Sequence, residues 1–147
     1  MIRIFRTGDI LDIFRIEQQN PDTQIFTKKE LNTLLDNPVV QCYVAESGQQ
    51  IVGYMIYTWT KKYYHVISIK ILPEFKRKKY GRYLIEKIKE RLCDSGRNRI
   101  ICYVDETNLE ACNFFKRLKF RAFTKQEDCI VFKYCRAFDF IGDKNVE

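Results

Sequence analysis

Leu72-Pro73-Glu74-Phe75-Lys76-Arg77-Lys78-Lys79-Tyr80-Gly81-Arg82-Tyr83-Leu84 joins a strand-like run, His65 to Leu72, to an amphipathic helix. A helix N-terminus carries backbone N–H groups with no intrahelical partner and a partial positive charge, so it attracts phosphate. Lys76, Arg77, Lys78, Lys79 and Arg82 place five cations within seven residues at that point. The strand ahead of the turn can hold an elongated ligand whose anionic end rests on the helix start. Together these features predict a nucleotide-like cofactor with a phosphate head and a long arm.

Working outward, hydrophobic periodicity lays out the remaining elements. Residues 2–6 alternate as a short strand, and Ile10, Leu11, Ile13 and Phe14 give helical spacing over Asp9 to Gln19, broken by Asn20-Pro21-Asp22. Thr27 followed by Glu30 is a capping-box pattern ahead of Leu31, Leu34 and Leu35. Val39 to Glu46, Gln50 to Thr60 and His65 to Leu72 read as three consecutive strands rich in β-branched and aromatic residues. Lys79 to Cys93 reads as a helix with Tyr80, Leu84, Ile85, Ile88 and Leu92 inward, stopped at Gly96. Arg99 to Val104 is a strand. Asn108 to Leu118 is a helix with Leu109, Ala111, Cys112, Phe115 and Leu118 inward. Phe120 to Thr124 and Cys129 to Tyr134 form a hairpin joined by Lys125 to Asp128. The predicted order is β-α-α-β-β-β-α-β-α-β-β, in one domain over residues 1–136 with a tail at 137–147.

Composition narrows the function classes. The chain has 147 residues, 46% hydrophobic and 14% aromatic, enough for one packed core. No apolar run approaches the ~18 residues of a membrane helix, and Met1–Arg6 reads as a strand rather than a signal peptide. Cys42, Cys93, Cys102, Cys112, Cys129 and Cys135 form no CxxC pair, and His65 is the only histidine, which argues against a zinc site. Thiols inside apolar patterns predict reduced cysteines and a cytoplasmic location. The net charge of +7 is regional: residues 61–100 hold 13 Lys/Arg against 4 Asp/Glu, a local +9, which leaves −2 elsewhere. Such a patch suits a phosphate-bearing cofactor, an acidic substrate or nucleic acid. No aromatic–basic recognition motif supports nucleic acid, which is expected not to be a partner.

The element order, with a basic turn after the fourth strand, resembles the GCN5-related N-acetyltransferase (GNAT) family over residues 1–136. The family's Q/R-x-x-G-x-G/A motif falls on Lys76-Arg77-Lys78-Lys79-Tyr80-Gly81, with Lys79 in place of the first glycine. A second motif, Asn-x-x-Ala-x-x-Phe-Tyr-x-x-x-Gly-Phe, matches Asn108-Leu109-Glu110-Ala111-Cys112-Asn113-Phe114-Phe115-Lys116-Arg117-Leu118-Lys119-Phe120. Within the family the chain looks most like the ribosomal-protein N-terminal-alanine acetyltransferases.

The resemblance implies a strongly twisted mixed α/β sheet of about seven strands and about four helices, and it implies acetyl-CoA as cofactor. The pantetheine arm would pair with the backbone around Ile69, Lys70 and Ile71. Backbone N–H groups from Arg77 through Tyr80, Gly81 and Arg82 would cradle the pyrophosphate, and Lys76, Arg77, Lys78 and Lys79 are candidates for the adenosine 3′-phosphate. Asn108 would reach the arm from its helix start, and Phe115 stands beside it where many members carry a tyrosine acid. Tyr103 occupies the place of a Glu or His base. A phenol ordinarily titrates near ~10 and is a poor base at neutral pH, so Asp105, Glu106, Tyr64 and His65 are alternatives. Tyr57 and Tyr64, with Trp59, Tyr63 and Gln19 to Thr27, either line an acceptor groove or pack in the core. The expected reaction is direct attack of a primary amine, on a protein or peptide N-terminus or a small molecule, by a monomer or homodimer. The rival reading is an acyl-CoA-binding regulatory domain with little catalysis.

Overall fold

The computed structural model describes residues 1–20, 26–92 and 96–138. In chain order it contains β1 (Ile2–Ile4), a 3-10 turn (Thr7–Asp9), α1 (Ile10–Gln18), α2 (Lys28–Leu35), β2 (Val40–Ser47), β3 (Gln50–Trp59), β4 (Tyr63–Ile71), a 3-10 turn (Pro73–Phe75), α3 (Tyr80–Lys89), β5 (Arg99–Asp105), α4 (Leu109–Arg117), β6 (Arg121–Gln126) and β7 (Cys129–Cys135). The strands follow the order β1-β2-β3-β4-β5-β7-β6. The sheet is mixed: β4 and β5 run parallel, whereas β2 is antiparallel to β1 and β3, and β7 to β5 and β6. This is the α/β architecture and element order expected from the sequence. The chain divides into two compact units, Met1–Thr58 with Ile67–Lys87, and Trp59–Val66 with Ile88–Glu147.

In the first unit, β3 is buried at every position from Ile51 to Tyr57, as a strand covered on both faces must be. Gly53 belongs to that run because a Cβ there would lie 2.4 Å from Ile71 Cδ1. α1 buries Ile13, Ile16 and Glu17, and α2 buries Leu31. The capping box at α2 is formed: Thr27 N donates to Glu30 Oε1 at 2.9 Å and Glu30 N to Thr27 Oγ1 at 3.1 Å. Asp9 ties the chain start together, accepting from Arg3 Nη1 and Nη2 at 2.9 Å and from Arg6 N at 2.7 Å.

In the second unit, Phe115 packs against Phe114, Phe120 and Phe132 with ring centroids 5.0, 5.1 and 6.1 Å away. Lys89 Nζ lies 4.0 Å over the Tyr134 ring and donates to Leu118 O at 2.9 Å, so its stem and charge are both used. α4 ends in a Schellman closure, with Phe120 N donating to Phe115 O at 3.0 Å and Lys119 at φ 72°.

Some expectations shift. β4 starts at Tyr63 rather than His65. Leu109 is 69% and Leu11 61% exposed, because each is the second residue of its helix or the one before it and faces away from the buried stripe. The β6–β7 connection is the two-residue turn Glu127-Asp128, with Gln126 paired to Cys129, not four residues. The five described cysteines, Cys42, Cys102, Cys112, Cys129 and Cys135, are free thiols. Among the described residues no helix is long and apolar enough to cross a membrane. The expected helix end at Cys93, residues 21–25 of the expected acceptor segment, and the tail beyond residue 138 lie outside the described residues.

The Arg3 guanidinium holds the Asp9 carboxyl below its ordinary value of 3.8. A depressed carboxylate stabilises the fold above that value, and the contribution is lost as pH falls through the folded value. Asp9→Asn is therefore expected to cost about 2 kcal/mol at neutral pH. In denaturant titrations across pH, the deficit should shrink towards zero below the ordinary carboxylate range.

Candidate active site

The basic turn takes a backbone shape that favours an anion. Arg77 (φ 66°) and Lys79 (φ 71°) are both left-handed, and non-glycine residues there turn successive N–H groups towards one side. Lys79 thus holds the conformation that the family's glycine would adopt freely. Tyr83 N donates to Lys79 O at 3.0 Å, which makes Lys79 the residue before the first turn of α3. The N–H groups of Tyr80, Gly81 and Arg82 then have no carbonyl partner within that helix. No acidic side chain occupies the first turn. Phe75 braces the turn, with the Tyr80 ring edge-on at 6.2 Å and Lys78 Nζ 5.2 Å over its face. Arg77, Lys78, Lys79 and Arg82 are exposed. These residues fit a pyrophosphate.

Upstream, the parallel register of β4 with β5 runs from Tyr63↔Arg99 to Val66↔Cys102, while β4 itself continues to Ile71. Residues 67–71 continue β4 within the first unit. Their side chains alternate: Ile67, Ile69 and Ile71 are half-buried, and Ser68 and Lys70 are buried. The Lys70 side chain is not directed to a cofactor. Its Nζ lies 2.8 Å from Glu17 Oε1, so only its backbone remains a candidate for the pantetheine arm.

That contact belongs to a buried polar group that the sequence reading missed. Glu17 is 0% exposed, and Tyr54 OH donates to the same Oε1. Tyr54 OH is also 3.0 Å from Ser68 Oγ, and Glu17 Oε2 accepts from Phe26 N at 2.9 Å. The signal was present: Glu17 sits on the apolar stripe of α1, and Ser68 and Lys70 sit at inward positions of β4. Three polar residues at core positions of two elements call for one another.

In the second unit, His65 on β4 meets the Tyr103 ring of β5 edge-on at 5.4 Å. Burial pushes the His65 imidazole below its ordinary 6.5, so the neutral form with a free lone pair is favoured near pH 7. Tyr103 is 47% exposed. Asp105 is poorly suited to take a proton. Its Oδ1 accepts from Thr107 Oγ1 at 2.6 Å and Thr107 N at 2.8 Å, and those bonds lower its pKa. Glu106 is held by Lys125 at 2.7 Å. Asn108 caps α4, its Oδ1 accepting from Ala111 N at 3.1 Å. Phe115 is 2% exposed within its aromatic cluster, which makes it a core residue. Tyr57, stacked on Tyr43 at 6.2 Å, and Tyr64, under Arg97 at 5.5 Å, are 2% and 5% exposed. Both take the core role, not that of groove lining.

A mixed seven-stranded sheet with a cationic strand-to-helix turn is a frame that can hold a phosphate-bearing cofactor. The model of the Acetyltransferase (GNAT) family matches residues 8–120, and the chain belongs to that family of acetyl-CoA-dependent N-acetyltransferases. It is 26% identical over 155 residues to the thialysine N-epsilon-acetyltransferase of Sus scrofa, covering 91% of each chain. The Mus musculus protein of the same name is 27% identical over 112 residues, 67% of this chain and 66% of that one. The fold superposes on the ribosomal-protein-S18-alanine N-acetyltransferase of Escherichia coli with a TM-score of 0.80, 18% identity and 92% of each chain covered.

Lysine stands at the first glycine of the phosphate motif and at the glycine of the second motif, and both Lys79 and Lys119 are left-handed. An L-residue there costs about 1 kcal/mol relative to glycine. Lys79→Gly should exceed Lys79→Ala in stability by that amount, and Lys119→Gly should exceed Lys119→Ala likewise. Each pair removes the same charge, so the difference between their melting curves reads backbone strain alone.

Proposed function

We propose that residues 1–136 form a catalytic domain that transfers the acetyl group of acetyl-CoA to a small primary amine. The observation that carries this reading is the left-handed, five-cation turn that directly follows β4 and opens α3. Lys76–Arg82 would hold the pyrophosphate and the 3′-phosphate, with N–H groups and side chains sharing the charge. The backbone of Ile69–Ile71 would pair with the arm, and Asn108, with Oδ1 committed to its cap, would offer Nδ2. Bound acetyl-CoA supplies an activated thioester carbonyl.

The proton shed by the attacking amine goes to the neutral His65 imidazole, directly or through one water. Tyr103, against the His65 ring, would protonate the departing thiolate. With acetyl-CoA bound, the carbon–nitrogen bond would form as the carbon–sulfur bond breaks, with the amine proton passing to His65 and the thiolate taking one from Tyr103. A small acceptor is supported by the thialysine acetyltransferases that cover 91% of the chain. It is also supported by the two-residue β6–β7 turn, which has no length to cover a peptide. A peptide N-terminus, the branch expected from sequence, is the competing acceptor.

Acetyl-CoA at about 100 times its Kd should stabilise the protein by about 2.7 kcal/mol, and Lys76→Glu and Gly81→Asp should abolish the shift. CoA release should be at least about 10-fold faster with thialysine than with a peptide bearing N-terminal alanine. The reverse preference would restore the peptide reading. Stabilisation without release on any amine would leave an acyl-CoA-binding domain. For the proton step, His65→Gln should lower kcat about 10- to 100-fold. It should also remove the extra fall in kcat/KM below pH 6.5.

A further inference from the structure

Beyond Val66, one face of β4 is anchored by polar contacts and the other is not. Lys70 Nζ lies 2.8 Å from Glu17 Oε1, and Ser68 Oγ lies 3.0 Å from Tyr54 OH. Tyr54 OH donates to the same Glu17 oxygen, and Glu17 Oε2 accepts from Phe26 N at 2.9 Å. Glu17 and Tyr54 are 0%, Lys70 8% and Ser68 9% exposed, and all four belong to the first unit. Stability alone does not account for such an arrangement. Two charges removed from water lose hydration that their attraction only partly returns, and apolar residues of equal volume often do as well or better. Direction is what apolar residues do not supply: hydrogen-bonded side chains fix how a strand is rotated about its own axis.

That rotation decides where the backbone N–H groups of the strand point. Leu72 N donates to Val52 O of β3 at 2.8 Å, and burial alternates without a break along β4. N–H direction alternates with the side chains of a strand. Ser68 and Lys70 therefore turn their N–H groups to β3 as well, and Ile69 and Ile71 turn theirs to the opposite side. Resting on the acetyl-CoA reading, in which the Ile69–Ile71 backbone pairs with the pantetheine arm, we infer that Glu17 is a positioning residue for that arm. It anchors Lys70 directly and Ser68 through Tyr54, which holds the side chains on either side of Ile69 to one face. The Ile69 and Ile71 N–H groups are thereby kept in line with the arm. A strand free to roll would still lead into the turn at Lys76–Arg82, so the phosphate site would survive without the arm site. Glutamine is no substitute for Glu17, because its amide N–H groups would face either the Phe26 N–H or the Lys70 and Tyr54 donors.

The test compares two probes on the full chain: acetyl-CoA, which has head and arm, and 3′-phospho-ADP, which has the head alone. Calorimetric Kd values and melting curves are taken for each variant. Glu17→Gln should weaken acetyl-CoA about 10-fold, the worth of one well-aligned hydrogen bond. It should leave 3′-phospho-ADP within about 2-fold, since the turn is untouched. The double variant Glu17→Leu/Lys70→Met removes both buried charges. It should recover the melting temperature while acetyl-CoA stays about 10-fold weaker and the head-only probe is unchanged. Should Glu17→Gln not fold, the double variant and Tyr54→Phe carry the test, the latter with acetyl-CoA weakened about 3-fold. Equal losses for the two probes would make Glu17 a structural residue only and overturn the inference. Wild-type acetyl-CoA affinity in any of these variants, once folded, would overturn it too. Failure of the underlying reading looks different, because it shows in the wild-type protein: equal affinity for both probes removes the pairing of the arm with β4, and binding of neither removes the acetyl-CoA site.

Discussion

A strand edge can pair with a neighbouring strand or with a ligand at a given residue, but not with both. The proposed cofactor reading makes β4 the strand where this constraint acts. Its register with β5 covers Tyr63 to Val66 and the strand then continues through Ile71, directly into the cationic turn at the start of α3. The alternation of a strand separates the roles of its two faces. Ser68 and Lys70 enter the polar cluster around Glu17, and Ile67, Ile69 and Ile71 stay on the other side. Gly53 keeps β3 from crowding this segment, since any Cβ there would displace Ile71.

The turn that follows shows backbone geometry outlasting the residue that makes it easy. The first glycine of one family motif and the glycine of the other are lysine in this chain, at 79 and 119, and at both places the chain still turns left-handed. At Lys119 the cause is visible as the hydrogen bonds that close α4. At Lys79 the same geometry starts α3 and adds a cation where phosphate is expected, so local strain and electrostatic attraction oppose each other at one residue. Glycine would remove both.

The fold was legible because its signals are local and redundant. Thr27 and Glu30, the apolar stripes of α1 and α3, and the run of β-branched and aromatic residues in β3 each place an element without reference to the others. The β6–β7 turn is shorter than the sequence suggests because Lys125 and Gln126 are polar and exposed, as an edge strand can be, and so read as loop. The site was only half legible. Cations at a helix start advertise themselves, whereas the Glu17 cluster is spread over four segments whose meeting depends on tertiary packing. Asp105 looked available as a base because sequence does not show that Thr107 already occupies it. Sequence does not rank His65 above Asp105, Glu106 and Tyr64, because its burial and its contact with Tyr103 arise only when β4 and β5 pair.

The central claim is that one continuous stretch, from β4 beyond Val66 through the turn into α3, is the cofactor-binding backbone. Residue-resolved amide exchange with and without acetyl-CoA addresses it most directly. The account predicts slowed exchange at Ile69, Ile71 and the amides from Arg77 to Arg82, with Gln41 to Val44 of β2 unchanged. Protection that leaves these amides untouched, or that falls mainly on another element, would contradict it.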